Sequence, residues 1–440
     1  MLSKRTARFL KSGFLVNNFL CFIRSIVGIA VLITGVIMCA RWYKNETENT
    51  SYFQKNTGKP ASEQKAKTDE EIAALWEKGY DLPVDGQERE SAETDCKRVR
   101  ELVQTIYKEA DKGEASNVVL SDKAVLEMQK KMKGTGCPIH TAVFYSNMAN
   151  NKKMDNFLKK CQDGENGSIV VYEIRSDGGV ERTKYIFDGT NLYLLSTNAM
   201  WNEENELELS DTSHTRIKEW KYSDKGWFCY QLCVPEYPEV SEMVDGSCLI
   251  RIKPLTKEQR RMSKKCVSGL GYQGNNLLCS NWDAGHMDKL DYNGMYEYLY
   301  AMKYGEKMES GDYPNGIPKK EFESLIMEYL PVTAEQIRRY AVFDKKNQAY
   351  AWVRLGCFNY EPSFFATSFP EVTKIKKNHD GTVTLTVDAV CEMVLCDDAL
   401  ITHELTVKFT GDGKFQYLGN KILHEGNNGI PEYQYRIRGE

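Results

Sequence analysis

Apolar and polar positions alternate in three different ways along the chain. From Phe19 to Ala40 the side chains are almost continuously apolar, with Arg24 the one charged residue among them. Residues 44–67 are polar with few large apolar side chains, a composition that cannot offset its ordering entropy and reads as a flexible stalk. Beyond it the helical period sets in. Thr68-Asp-Glu-Glu71 is a capping box, followed by Ile72, Leu75 and Trp76 on one face and by Gly79, which can end the helix. Val99, Leu102, Val103, Ile106, Tyr107 and Ala110 lie on one helical stripe. Shorter helices are predicted near Ser121–Met132 and Lys152–Cys161.

After Gly167 the period becomes two. Ser168–Arg175 and Val180–Phe187 flank Ser-Asp-Gly-Gly179 as a hairpin, and strands follow at Leu192–Ser196, Thr215–Tyr222, Gly226–Val234 and Ser247–Lys253. A second cycle repeats helix then strand. Residues 291–304, Phe322–Leu330 and the segment capped by Thr333-Ala-Glu-Gln336 read as helices. Gln348–Gly356, Val372–Lys377, Thr382–Leu395, Ile401–Phe409 and Lys414–Leu423 read as strands. The predicted fold class is α+β: a single N-terminal transmembrane helix followed by two helix-then-antiparallel-sheet lobes, 68–289 and 290–440.

Charge sharpens the N-terminal picture. The 440 residues are 41% hydrophobic with net charge −4, which excludes a disordered chain and gives no support to nucleic-acid binding. Residues 1–44 hold seven bases and no acid, which leaves 51 bases against 62 acids, a net −11, for the rest. The uncharged run Ser25–Ala40 spans 16 residues. That is shorter than the ~20 a spanning helix needs, so Phe19–Ile23 must join it with Arg24 reaching back to the interface. Trp42 and Tyr43 stand where an aromatic belt belongs. The expectation is a basic cytoplasmic tail 1–18, an anchor 19–41 in contact with the lipid bilayer, a stalk 42–67 and an extracellular remainder at the cell membrane. A cleaved signal peptide and a buried core helix are the rival readings.

The segments IPKKEFESLIMEYLPVTAEQIRRYAVFD, FPEVTKIKKNHDGTVTLTVDAVCEMVLCDDALITHELTVKF and GKFQYLGNKI, with LWEKGYDLPVD nearer the start, carry a likeness. The chain resembles an uncharacterised family of membrane-anchored or lipoprotein-like extracytoplasmic proteins of gut Firmicutes. The resemblance implies an envelope ectodomain and brings no activity or catalytic residue with it.

Candidate chemistry is sparse. Gly269-Leu-Gly271-Tyr-Gln-Gly274 spells a dinucleotide fingerprint, but it follows a helix capped by Thr256 where the fingerprint needs a preceding strand. No cofactor is expected. The densest cluster is the loop 280–291, with Trp282, Asp283, His286, Asp288 and Asp291. Asp283, His286 and Asp288 are types that serve as acid and base on a glycan or peptide; the plainer reading makes them turn and cap residues. Tyr292, Tyr296, Tyr300 and Tyr304 recur every four residues. They either complete a packed face or, with Trp282, offer flat rings to a sugar or peptide ligand. His403 shares a strand face with Leu405, Val407 and Phe409, which favours a satisfied, partly buried histidine over a metal ligand. Cys266 and Cys279 bracket the glycine loop and are the candidate disulfide. The expected function is a binding or structural module at the cell envelope with a glycan or protein partner. The alternative is an extracytoplasmic hydrolase using the 280–291 loop.

Overall fold

The computed structural model describes residues 68–113, 118–309, 311–356, 368–391, 399–425 and 429–437. Within them the chain is α+β. Thr68 and Glu71 exchange both capping-box hydrogen bonds to open α1 (Asp69–Lys78), and Gly79 closes it in the left-handed conformation. The next helix, α2 (Gly86–Glu109), buries Val99, Val103 and Tyr107 on the stripe that their spacing predicts. It packs beside α3 (Asp122–Met132), which buries Val125, Met128 and Met132.

A seven-stranded meander follows in sequential order: β1 (Ile139–Thr141), β2 (Gly167–Ile174), β3 (Val180–Phe187), β4 (Leu192–Trp201), β5 (Leu207–Tyr222), β6 (Trp227–Leu232) and β7 (Ser247–Arg251). Only β1 joins parallel. Alternation along β2 feeds two separate cores. Ile169 and Val171 meet α4 (Asn151–Gln162), whereas Val170, Tyr172 and Ile174 meet α2 and α3. The β4–β5 hairpin is longer than predicted, pairing Trp201 with Leu207. Its outer half is mostly polar and hides its alternation, but Trp201 stacks on Tyr107 with ring centroids 4.0 Å apart and so anchors the extension to α2.

The second lobe opens with α5 (Lys257–Met262), capped by Thr256 and Gln259 and continued by a π-helical turn, Ser263–Val267. Helices α6 (Tyr292–Tyr304), α7 (Lys319–Tyr329) and α8 (Ala334–Tyr340) come next. Its main sheet has the order β12 (Phe369–Lys377), β13 (Val383–Val390), β14 (Thr402–Gly411), β15 (Lys414–His424) and β8 (Trp282–Asp283). Three two-residue strands, β9 (Ile317–Pro318), β10 (Phe343–Asp344) and β11 (Ala349–Tyr350), make a minor sheet, so the predicted strand 348–356 pairs only at its start. One core runs from Met262 to Tyr417, and residues 262–289, expected in the first lobe, pack within it. The lobes touch where Trp227, Cys229 and Leu249 pack with Val390 and Phe369. Arg251 pairs with Glu371 across this contact at 3.0 Å.

The N-terminal part of the predicted fold class is corrected. No helix among the described residues is long and apolar enough to cross a membrane. The longest, α2, has 24 residues but is charged on most of its turns, where a bilayer requires about 20 apolar ones. The expected tail 1–18, anchor 19–41 and stalk 42–67 lie outside the described residues. The described fold is thus α+β without a transmembrane helix, and the single-pass membrane localisation is not supported.

Candidate functional site

The loop 280–291 proves to be largely framework. Trp282 is buried, donates its indole N–H to the Leu277 carbonyl at 2.8 Å and lies in β8, opposite Asn420 of β15. Asp283 takes the other face of that short strand. Its Oδ1 accepts from the Gly285 amide and from His286 Nδ1, each at 2.8 Å, with both side chains more than half exposed. The His286 hydrogen bond, helped by the Gly285 amide, holds the Asp283 carboxyl below its usual range. A general acid at neutral pH needs the opposite shift. Asp288 sits exposed in the single turn Met287–Lys289, outside this pair. Asp291 caps α6 through the Gly294 amide and accepts from the Tyr433 hydroxyl at 2.6 Å. Among the described residues no group of three or more His, Cys, Asp or Glu gathers as a metal site.

The glycine loop is tied into the same framework. Asn420 Oδ1 can only accept, so His403 carries its proton on Nδ1 and donates across 2.6 Å. His403 Nε2 is then left to accept from the Tyr272 hydroxyl at 3.0 Å. Asn420 spends its amide protons on the carbonyls of Leu278 and Ser280. The histidine is completely buried, more deeply than its strand pattern predicted. Cys266 and Cys279 carry free thiols, a correction to the predicted bridge. Burial pushes both up to about 12, so neither is a ready nucleophile.

The tyrosine row divides along α6. Tyr296 is core, stacked on Phe322 at 4.8 Å. Tyr300 is half-buried, and Tyr304 reaches the surface with its ring centroid 4.6 Å from that of Tyr300. Trp282 and Tyr292 also lie in the core, so the structure does not assemble these five aromatic residues on one accessible face.

Another arrangement, which the sequence pattern did not single out, forms an open cleft of about 350 Å³ in the first lobe. It arises where β5 changes partner. Up to Arg216 this strand pairs with β4, and from Ile217 onward with β6. At the junction the Arg216 amide donates to the Gly79 carbonyl, and the Arg216 carbonyl accepts from the Cys233 amide. The Arg216 guanidinium turns back to donate to the carbonyls of Trp76 and Glu77 at the end of α1. Lys78, Arg216 and Lys218 bring three cations to the cleft, joined by Tyr80, the buried Cys233 and Glu236-Tyr237-Pro238-Glu239. Lys78 and the Tyr80 hydroxyl both donate to the Glu239 carboxylate, while Lys218 pairs with Glu236 at 3.4 Å. The Lys78 and Tyr80 hydrogen bonds hold the Glu239 carboxyl below its usual range, and the same contact raises Lys78. The parts are unremarkable singly: a helix-ending glycine, two bases in a polar strand, a Tyr-Pro between glutamates. Lys78 and Glu239 are 161 residues apart, and no local pattern joins them.

Fold and cleft together define a two-lobed α+β protein with a mixed-charge surface site. The chain belongs to a family of unknown function, DUF6070, whose match covers residues 89–436. No curated protein and no solved structure matches it.

Proposed function

We infer that the protein is a binding module and that the cleft at the β5 junction is where it engages its partner. The observation that carries this reading is the convergence of Lys78, Arg216 and Lys218 with Tyr80 and the exposed Tyr237 around one open concavity. Regular elements present the cations, and tyrosines add apolar area with a polar tip, a composition suited to a peptide or glycan surface. The Asp283–His286 pair supports the hydrolase alternative less well, because it is open to water and its carboxyl is shifted away from acid catalysis.

The test is a thermal-shift screen of the full chain against peptides and glycans, since any ligand of the native state raises apparent stability. A ligand shift is expected in the wild type and should vanish in a Lys78→Ala/Lys218→Ala variant, whose replaced side chains are exposed. A shift that survives these changes would place the site elsewhere. Hydrolysis of any screened glycan or peptide that is lost in Asp283→Ala/His286→Ala/Asp288→Ala would overturn the binding-only reading.

A further inference from the structure

We propose that the 234–246 loop is a tethered occupant of the cleft, and that the true ligand is an acidic, tyrosine-bearing peptide segment of a partner protein which displaces it. This rests on the cleft being the binding site. The cations stand on regular elements: Lys78 on α1, Arg216 and Lys218 on β5. The carboxylates that answer them, Glu236 and Glu239, both come from the irregular connection between β6 and β7. Without those two glutamates the lining keeps three cations and no acid.

The tether is held lightly. The side chains of Glu236 and Glu239 remain 74% and 41% exposed while making their contacts. Water therefore screens both ion pairs, and exchanging one carboxylate for another costs little desolvation. Tyr237, between them, is 88% exposed and so adds little packing to hold the loop down. Glu236-Tyr237-Pro238-Glu239 is itself an acidic, aromatic tetrapeptide, and a partner segment of the same chemistry can repeat its carboxylate contacts. Such a segment can also gain what the loop forgoes by laying its ring on Tyr80, which stays in the lining when the loop leaves. An internal competitor lowers apparent affinity by the fraction of molecules whose cleft is open, so the loop sets a threshold for the partner.

Fluorescence anisotropy of the full chain with a fluorescein-labelled repeat of Glu-Tyr-Pro-Glu tests this, with the Gln-Tyr-Pro-Gln repeat as the neutral control. The acidic probe should bind the wild type, weaken as salt is raised, and bind Glu236→Gln/Glu239→Gln about tenfold more tightly. Lys78→Ala/Lys218→Ala should lose the acidic probe, with thermal unfolding confirming that each variant is folded. Equal binding of acidic and neutral probes overturns the ligand class. Unchanged affinity in the glutamine variant overturns the tethered-competitor role. If a different ligand from the thermal-shift screen depends on Lys78 and Lys218 while the acidic probe does not bind, the cleft stands as the site and this inference fails alone.

Discussion

His403 shows how much a single buried side chain can report. Its imidazole accepts from Tyr272 and donates to Asn420, which in turn holds the carbonyls of Leu278 and Ser280. Both ring nitrogens are therefore committed in the neutral form, and a second proton would displace the Tyr272 hydroxyl hydrogen. Burial accordingly pulls its pKa from 6.5 to about 4. The sign of the consequence follows from proton counting. Above pH 6.5 the native and unfolded chains both carry neutral His403, and its full contribution is present. As pH falls from there toward about 4, the unfolded chain takes up a proton that the native state refuses, and stability is lost. The loss amounts to on the order of 3 kcal/mol at its full extent. Asp291 and Glu297, raised by burial, act in the opposite sense, so the effect must be read against a variant. Urea midpoints measured at pH 7.5, 5.5 and 4.5 should fall more steeply for the wild type than for His403→Gln. Parallel pH profiles for the two proteins would refute the assignment.

The ends of elements were the most legible part of the chain, and the places where they meet were the least. Capping boxes at Thr68, Thr256 and Thr333 read directly from sequence because both partners lie within three residues. The helical stripes and the meander were equally open to reading, since each follows from a period. The Cys266–Cys279 pairing was read wrongly because proximity in sequence does not set the separation or direction of two thiols. The cleft was invisible because it depends on β5 changing partner at Arg216, a register event that no local pattern encodes. Gly79 links the two kinds of information. Its role as a helix end was legible, but its second role was not: a β-carbon there would lie 2.8 Å from Cys233 Sγ and 3.1 Å from Arg216 Nε. Gly79→Ala therefore meets both a left-handed backbone, costing about 1–2 kcal/mol, and a collision at the cleft floor. We expect a lower melting temperature together with faster alkylation of Cys233, measured by peptide mapping. A variant with the wild-type melting temperature and alkylation rate would show that the junction is slack.

The two lobes behave as one body only if their contact resists separation, and its chemistry makes that testable. Trp227, Leu249, Val390 and Phe369 supply the apolar part, and Tyr145 donates its hydroxyl across to the Pro370 carbonyl. At the contact the Glu371 side chain is only 3% exposed and that of Arg251 13%, with the guanidinium 5.0 Å from the centre of the Trp227 ring. A buried pair of this kind adds little over an apolar replacement, yet removing Glu371 leaves the largely buried Arg251 guanidinium without this carboxylate, its remaining hydrogen bond being to the Lys225 carbonyl. Glu371→Leu should therefore destabilise the protein by on the order of 3 kcal/mol. Arg251→Met/Glu371→Leu should recover most of that loss, because no charge is then stranded. The calorimetric trace distinguishes where the damage falls. If the contact couples the lobes, the wild type unfolds in one transition and Glu371→Leu in two, with the double variant returning to one. Two transitions already present in the wild type would mean that the lobes unfold independently and that Arg251–Glu371 stabilises only its immediate surroundings.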